Sequence, residues 1–136
     1  MIDQAMALLK DLSNKLKELS TFQQQYQAHD VDTKSLQKYL QMLDEQYGQE
    51  MIEKIDYIQN PILTEGVLHL NLNGRYEVNG WELTKGDYIE IFMDDAFYVT
   101  QLDYAGQYAG GYYAFHFPNL PLEGVKVRIR KNSKVK

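Results

Sequence analysis

The side chains able to do chemistry are few, and their spacing argues against a reaction. Histidines stand at His29, His69 and His116. None has a partner at the i, i+4 interval that places two imidazoles on one helical face for zinc. Cysteine is absent, which removes thiolate chemistry and any disulfide framework. Serine occurs at Ser13, Ser20, Ser35 and Ser133, never in the strand-to-helix elbow that a nucleophilic serine uses. Carboxylates adjoin at Asp94-Asp95 and come close at Asp87 and Glu90. General acid–base work needs two carboxyls in one pocket with separated proton affinities. Turn formation accounts for Asp94-Asp95, and solvent-facing alternation along a strand accounts for Glu90. Asp30-Val31-Asp32 echoes the start of a calcium loop, but Ser35 stands where the sixth-position glycine belongs and Gln41 where the glutamate belongs. Gly110-Gly111 lacks the Lys-Ser/Thr of a phosphate loop. The expectation is a chain that is not an enzyme, with no catalytic residue, metal or cofactor.

Aromatic side chains are the stronger signal. Residues 76–117 hold 12 of the 17 aromatics. A small β domain buries part of such a set, and the loop Tyr104-Ala-Gly-Gln-Tyr108-Ala-Gly-Gly-Tyr112 has rings to spare. Tyrosine supplies a large amphipathic contact at little entropy cost, which suits a binding surface. Stacking on nucleobases is the other use of exposed rings. The neighbouring Asp94, Asp95 and Asp103 oppose it, because stacking platforms sit in cationic grooves. The expected partner-binding set is therefore Asp94, Asp95, Asp103, Tyr104, Tyr108 and Tyr112, directed at another protein.

Charge is unevenly spread. Residues 1–59 carry ten acids and six bases, and residues 60–123 nine acids and two bases. Residues 124–136 carry six bases and no acid. An acidic body repels phosphate backbones and also keeps a protein in solution. The basic C-terminal strand leaves an alternative, an accessory nucleic-acid contact through Lys126, Arg128, Arg130 and Lys131. The same bases could equally balance the acidic face of the β domain.

The elements that must hold these residues follow from a change of period at Asn60-Pro61. Before it, Ile2, Ala5, Leu9, Leu12, Leu16, Leu19, Gln23 and Tyr26 step by threes and fours, a heptad seam. Asp30, Asp32 or Thr33 can cap a second helix, whose stripe is Leu36, Leu40, Leu43, Tyr47, Met51, Ile55 and Ile58. Gly48 allows a close approach or a bend. Two helices of matched length predict an antiparallel hairpin over residues 1–60. Its seam either closes within one hairpin or joins a four-helix bundle across a dimer axis.

After Pro61 the period is two. Leu68, Leu70 and Leu72 share one face of the first strand, Ile89, Ile91 and Met93 of another, and Val127 and Ile129 of the last. Asn73-Gly74 and Asn79-Gly80 mark tight turns, because both residue types tolerate positive φ. Short strands at close spacing predict a small SH3-like antiparallel β-barrel over residues 61–136, with an open meander as second choice. The fold class expected is α+β. No run approaches the roughly 18 apolar residues of a membrane span. Met1 leads into an amphipathic pattern and not a signal peptide, so a cytoplasmic location is expected.

The run GVLHLNLNGRYEVNGWELTKGDYIEI, followed by GVKVRIRK, is similar to a small domain of unknown function found in proteins of Gram-positive bacteria, often on plasmids, phages and conjugative elements. The matching positions are Gly66, Leu68, Gly74, Arg75, Tyr76, Leu83, Gly86, Asp87, Glu90, Tyr112, Gly124, Arg128 and Arg130. The resemblance spans about residues 65–131 and leaves the helices unmatched. It brings no catalytic residue to carry over. It implies a mobile-element setting, where small acidic proteins include inhibitors of host defence nucleases such as anti-CRISPR proteins. The functional expectation is a non-catalytic protein-interaction module that occupies the basic channel of a nuclease.

Overall fold

The structure, a computed structural model, describes residues 1–25, 29–106 and 111–134. The chain divides into two units, Met1–Gln59 and Asn60–Lys136. No helix among the described residues is long and apolar enough to cross a membrane.

In the first unit, α1 (Ile2–Gln25) turns Met6, Leu9, Ser13, Leu16, Ser20 and Gln23 inward. Those positions step 3-4-3-4-3, so the heptad period holds but its phase differs from the expected stripe. Leu12, Leu19, Ile2 and Ala5 are exposed, while Ser13 and Ser20 are buried. The physical reason lies in two buried hydroxyls with partners. Ser13 Oγ donates to Asp56 Oδ1 at 2.7 Å, and Ser20 Oγ donates to Asp44 Oδ2 at 3.2 Å. Small side chains admit the neighbouring helix closely, and a satisfied hydroxyl removes the penalty of burying it. Tyr26 lies outside the described residues.

The facing arm is α2 (Val31–Leu43), a π-turn (Asp44–Gly48) and α3 (Gln49–Ile58). Asp30 is its cap, accepting the Thr33 N–H at 2.8 Å, which holds the Asp30 carboxyl below the usual range. Ser13, Ser20 and Gln23 meet Asp56, Asp44 and Gln37 in turn, so the second arm pairs with the first in reverse order. The π-turn accommodates one extra residue, and Gly48 makes room for it. A Cβ there would lie 2.9 Å from Asp44 Oδ1, so glycine lets the widened turn close over that carboxylate.

In the second unit the strands are β1 (Ile62–Val67), β2 (His69–Leu70), β3 (Tyr76–Val78), β4 (Trp81–Glu82), β5 (Tyr88–Met93), β6 (Ala96–Tyr104), β7 (Tyr112–Ala114) and β8 (Lys126–Arg130). They form a five-stranded sheet ordered β1-β8-β5-β6-β7 and a three-stranded sheet ordered β2-β3-β4. Every ladder among the described residues is antiparallel. The expected SH3-like barrel is not what forms: among the described residues the sheets stay open and no barrel closes. Strand β7 stops after three residues, where Phe117 N–H bonds back to the Ala114 carbonyl at 2.9 Å. The edges β1 and β7 consequently never pair.

The first strand also differs from expectation. Only Leu68 of the trio Leu68, Leu70 and Leu72 is in the core. Its N–H and carbonyl bond to Val125 and Gly124, both at 2.9 Å, which breaks the strand between β1 and β2. Asn71 Oδ1 then accepts from the Asn73 and Arg75 N–H groups, turning the chain before Asn73-Gly74 and leaving Leu72 in solvent. Asn79-Gly80 behaves as expected, with φ of 49° and 82° between paired Val78 and Trp81. The core joins both sheets through Leu68, Val78, Leu83, Ile89, Ile91, Leu102, Val127 and Ile129.

Candidate protein-contact site

Strand β6 decides where the expected contact residues go. Asp94 and Asp95 form the two-residue turn before it, with φ of 50° and 62° between paired Met93 and Ala96. Both are exposed. Asp103 and Tyr104 lie at its far end. At about 3.3 Å per residue the nine steps from Asp95 to Tyr104 span roughly 30 Å. The six residues therefore do not make one patch. Asp94-Asp95 is one tip, and Asp103, Tyr104 and Tyr112 are the other. Tyr108 lies outside the described residues.

The second tip is the more ordered constellation. Tyr104 and Tyr112 are cross-strand partners, their rings edge-to-face with centroids 5.1 Å apart. Such pairs stabilise by about 0.5–1.5 kcal/mol beyond burial. Gly111, at φ 79°, is required here because a Cβ would collide with the Tyr104 ring. Tyr104 remains 54% exposed. Asp103 Oδ1 accepts from the Tyr104 N–H at 2.8 Å, and Asp103 Oδ2 accepts from Tyr113 OH at 3.2 Å. Lys85 Nζ stands 3.8 Å from Asp103.

A polar network continues from Tyr112 onto the smaller sheet. Glu82 and the Tyr112 phenol both favour the charged Arg75 guanidinium, and Arg75 Nη1 donates to Glu82 Oε1 at 2.9 Å. Asn73 and Asn71 amides also donate to Glu82. With Arg75 they hold its carboxyl below the ordinary range. Arg75, Glu82, Asn71 and Asn73 were not expected at the site. The Asn-Leu-Asn-Gly-Arg run signals a turn, but nothing in it says which distant strand the turn approaches.

The basic strand has most of its charge answered within the unit. Lys126 Nζ lies 3.3 Å from Glu65 and 4.8 Å from the Phe92 ring centroid. Arg128 donates to Glu90 at 2.8 Å and stacks 4.0 Å above Phe97. Arg130 donates to the same carboxylate and to the Asn60 carbonyl at 2.7 Å. Lys134 pairs with buried Asp87. Lys131 is exposed. A phosphate would have to compete with these internal acceptors for three of the four residues.

His69 and His116 pin loops. His69 Nδ1 lies 2.9 Å from Glu123 Oε1, whose other oxygen accepts the Leu70 N–H at 2.7 Å. Both His69 and Glu123 are exposed, and the pair ties the 118–124 loop to β2. The His69 contact, with the Leu70 N–H, holds the Glu123 carboxyl low. His116 Nδ1 lies 3.0 Å from Thr100 Oγ1. No cluster of three or more metal-ligating side chains occurs among the described residues.

The geometry defines an α+β protein whose β unit displays an ordered tyrosine pair between charged side chains. Residues 66–129 match the model of a family described as a domain of unknown function (DUF5348), so the β unit is similar to that domain. No curated protein and no solved structure matches the chain.

Proposed function

We propose that the chain is a non-catalytic protein-interaction module whose β unit binds a basic surface of another protein. The observation that carries this reading is Tyr104, half exposed yet locked edge-on against Tyr112 and flanked by Asp103 and Arg75. A tyrosine held by its neighbour contributes contact area at little ordering cost, as at interface centres. Charge supports a basic partner at the other tip of β6, roughly 30 Å from Tyr104. The β8 cations are tied to Glu65 and Glu90, whereas Asp94 and Asp95 project from a turn.

The concrete instance is a cytoplasmic nuclease whose nucleic-acid channel is masked, in the setting of a mobile genetic element. The experiment is co-purification with candidate nucleases, with cleavage measured at rising inhibitor. Loss of cleavage at stoichiometric inhibitor is expected, and full cleavage at a large excess rejects the nuclease. Filter retention of duplex DNA across salt is the companion measurement. A negative slope, near −3 for three phosphates neutralised with release of their counterions, would replace this reading with a nucleic-acid binder.

A further inference from the structure

The phase of the helical seam leaves Leu12 and Leu19 of α1 and Leu36, Leu43, Tyr47 and Met51 of the second arm exposed. Buried serines occupy the junction of α1 with the second arm, so the larger residues border an apolar groove of about 340 Å³ between them. Leu19 on one wall faces Leu43, Tyr47 and Met51 on the other. Phe22 and Leu36 continue it towards the end where the arms are linked. The exposure of these six side chains runs from 36% for Leu43 to 58% for Tyr47. Leu36 and Leu43 stand one heptad apart on one wall and Leu19 and Phe22 one turn apart on the other, a ridge pattern that side chains of further helices can enter.

We infer that the groove is the interface for a second copy of this chain, the two helical units packing face to face about a two-fold axis. Area supports that occupant. At about 200 Å² for an aromatic side chain and somewhat less for leucine and methionine, the six, about half exposed, offer roughly 550 Å² per copy. Two copies then exceed the roughly 1,000 Å² that a specific interface needs. Symmetry is compatible with it, because a two-fold axis lets the same apolar groove of each copy meet the other, and an isologous contact closes on itself. The groove floor carries one polar point. Asp44 is held there by Ser20 at 3.2 Å and Gln49 at 3.5 Å. A single polar layer in an otherwise apolar seam selects register, and Gly48 keeps the π-turn compact around it.

The test is solution mass by light scattering on the full chain. The wild type is expected at about 32 kDa, twice the 15.9 kDa of one chain. Leu19→Glu with Leu43→Glu places charges in the groove and weakens dimerisation at least about 100-fold, with helical circular dichroism retained because both positions are exposed. Lys10→Glu, on the opposite side of α1, leaves the mass unchanged. The chain has no cysteine, so Leu43→Cys alone gives a covalent dimer with a short bifunctional maleimide, and Lys10→Cys does not. A monomeric wild type, or a dimer indifferent to the Leu19/Leu43 pair, overturns the inference.

Discussion

Arg128 Nη2 lies 2.8 Å from Glu90 Oε2, in a carboxylate only 3% exposed that also receives Arg130. Three charges thus share one buried site, and the acid is the element both cations need. Glu90→Gln keeps the shape and removes the charge. Breaking a buried pair costs about 3 kcal/mol, because it leaves two guanidinium groups uncompensated. Urea unfolding should register that loss in the β unit. A change below about 1 kcal/mol would mean that solvent already screens the triad.

The serine seam makes an unusual prediction. Ser13→Leu makes the heptad more hydrophobic on paper, yet it inserts a large side chain where Ser13 touches Asp56 at 2.7 Å. Overpacking and the lost hydrogen bond should destabilise by about 2 kcal/mol or more. Leu12→Ser, one residue away and 40% exposed, should cost less, about 1 kcal/mol, at concentrations where the chain is monomeric. Thermal melts of the two variants compare them directly. Equal costs would place the seam elsewhere.

Acid should loosen the β unit at its surface pins. The Asn73, Asn71 and Arg75 contacts lower the Glu82 pKa, and the His69 and Leu70 contacts lower that of Glu123. A carboxyl with a depressed folded value binds fewer protons folded than unfolded. Its stabilisation is therefore complete above the ordinary glutamate value and disappears as pH falls through the folded one. Side-chain carboxyl NMR titration should find both groups titrating below the ordinary glutamate value. Midpoints at the ordinary glutamate value would remove the pins.

Partner binding should depend on how Tyr104 is held as well as on its presence. Tyr104→Ala removes an exposed ring and should weaken binding more than tenfold, a hot-spot loss of about 1.4 kcal/mol or more, with little change in melting temperature. Gly111→Ala retains the ring but drives a methyl into it from a left-handed backbone position. It should weaken the same partner similarly. A variant that binds normally in both assays would move the contact to the Asp94-Asp95 tip.

Much of this architecture was legible one residue at a time. The change of period at Asn60-Pro61 marks where the last helix ends, at Ile58, because proline disfavours helical geometry just before it. Tyr88–Met93, the turn at Asn79-Gly80 and the inward Val127 and Ile129 likewise follow from local sterics and alternation. These features depend on near neighbours, and near neighbours are what a sequence displays.

Tertiary packing decided the rest. Heptad spacing defines a stripe, but its phase turned on Ser13 and Ser20 finding Asp56 and Asp44 more than 20 residues away. Alternation defines strands, but whether they close depended on β7 ending at Ala114. The acidic and aromatic residues grouped in sequence were separated by the length of β6, while Arg75 and Glu82 were carried to Tyr112 by another sheet. The bases of β8 became internal partners of Glu90 and Glu65. Each outcome is a choice among long-range contacts of similar local cost, and only the packed chain contains the distances that rank them.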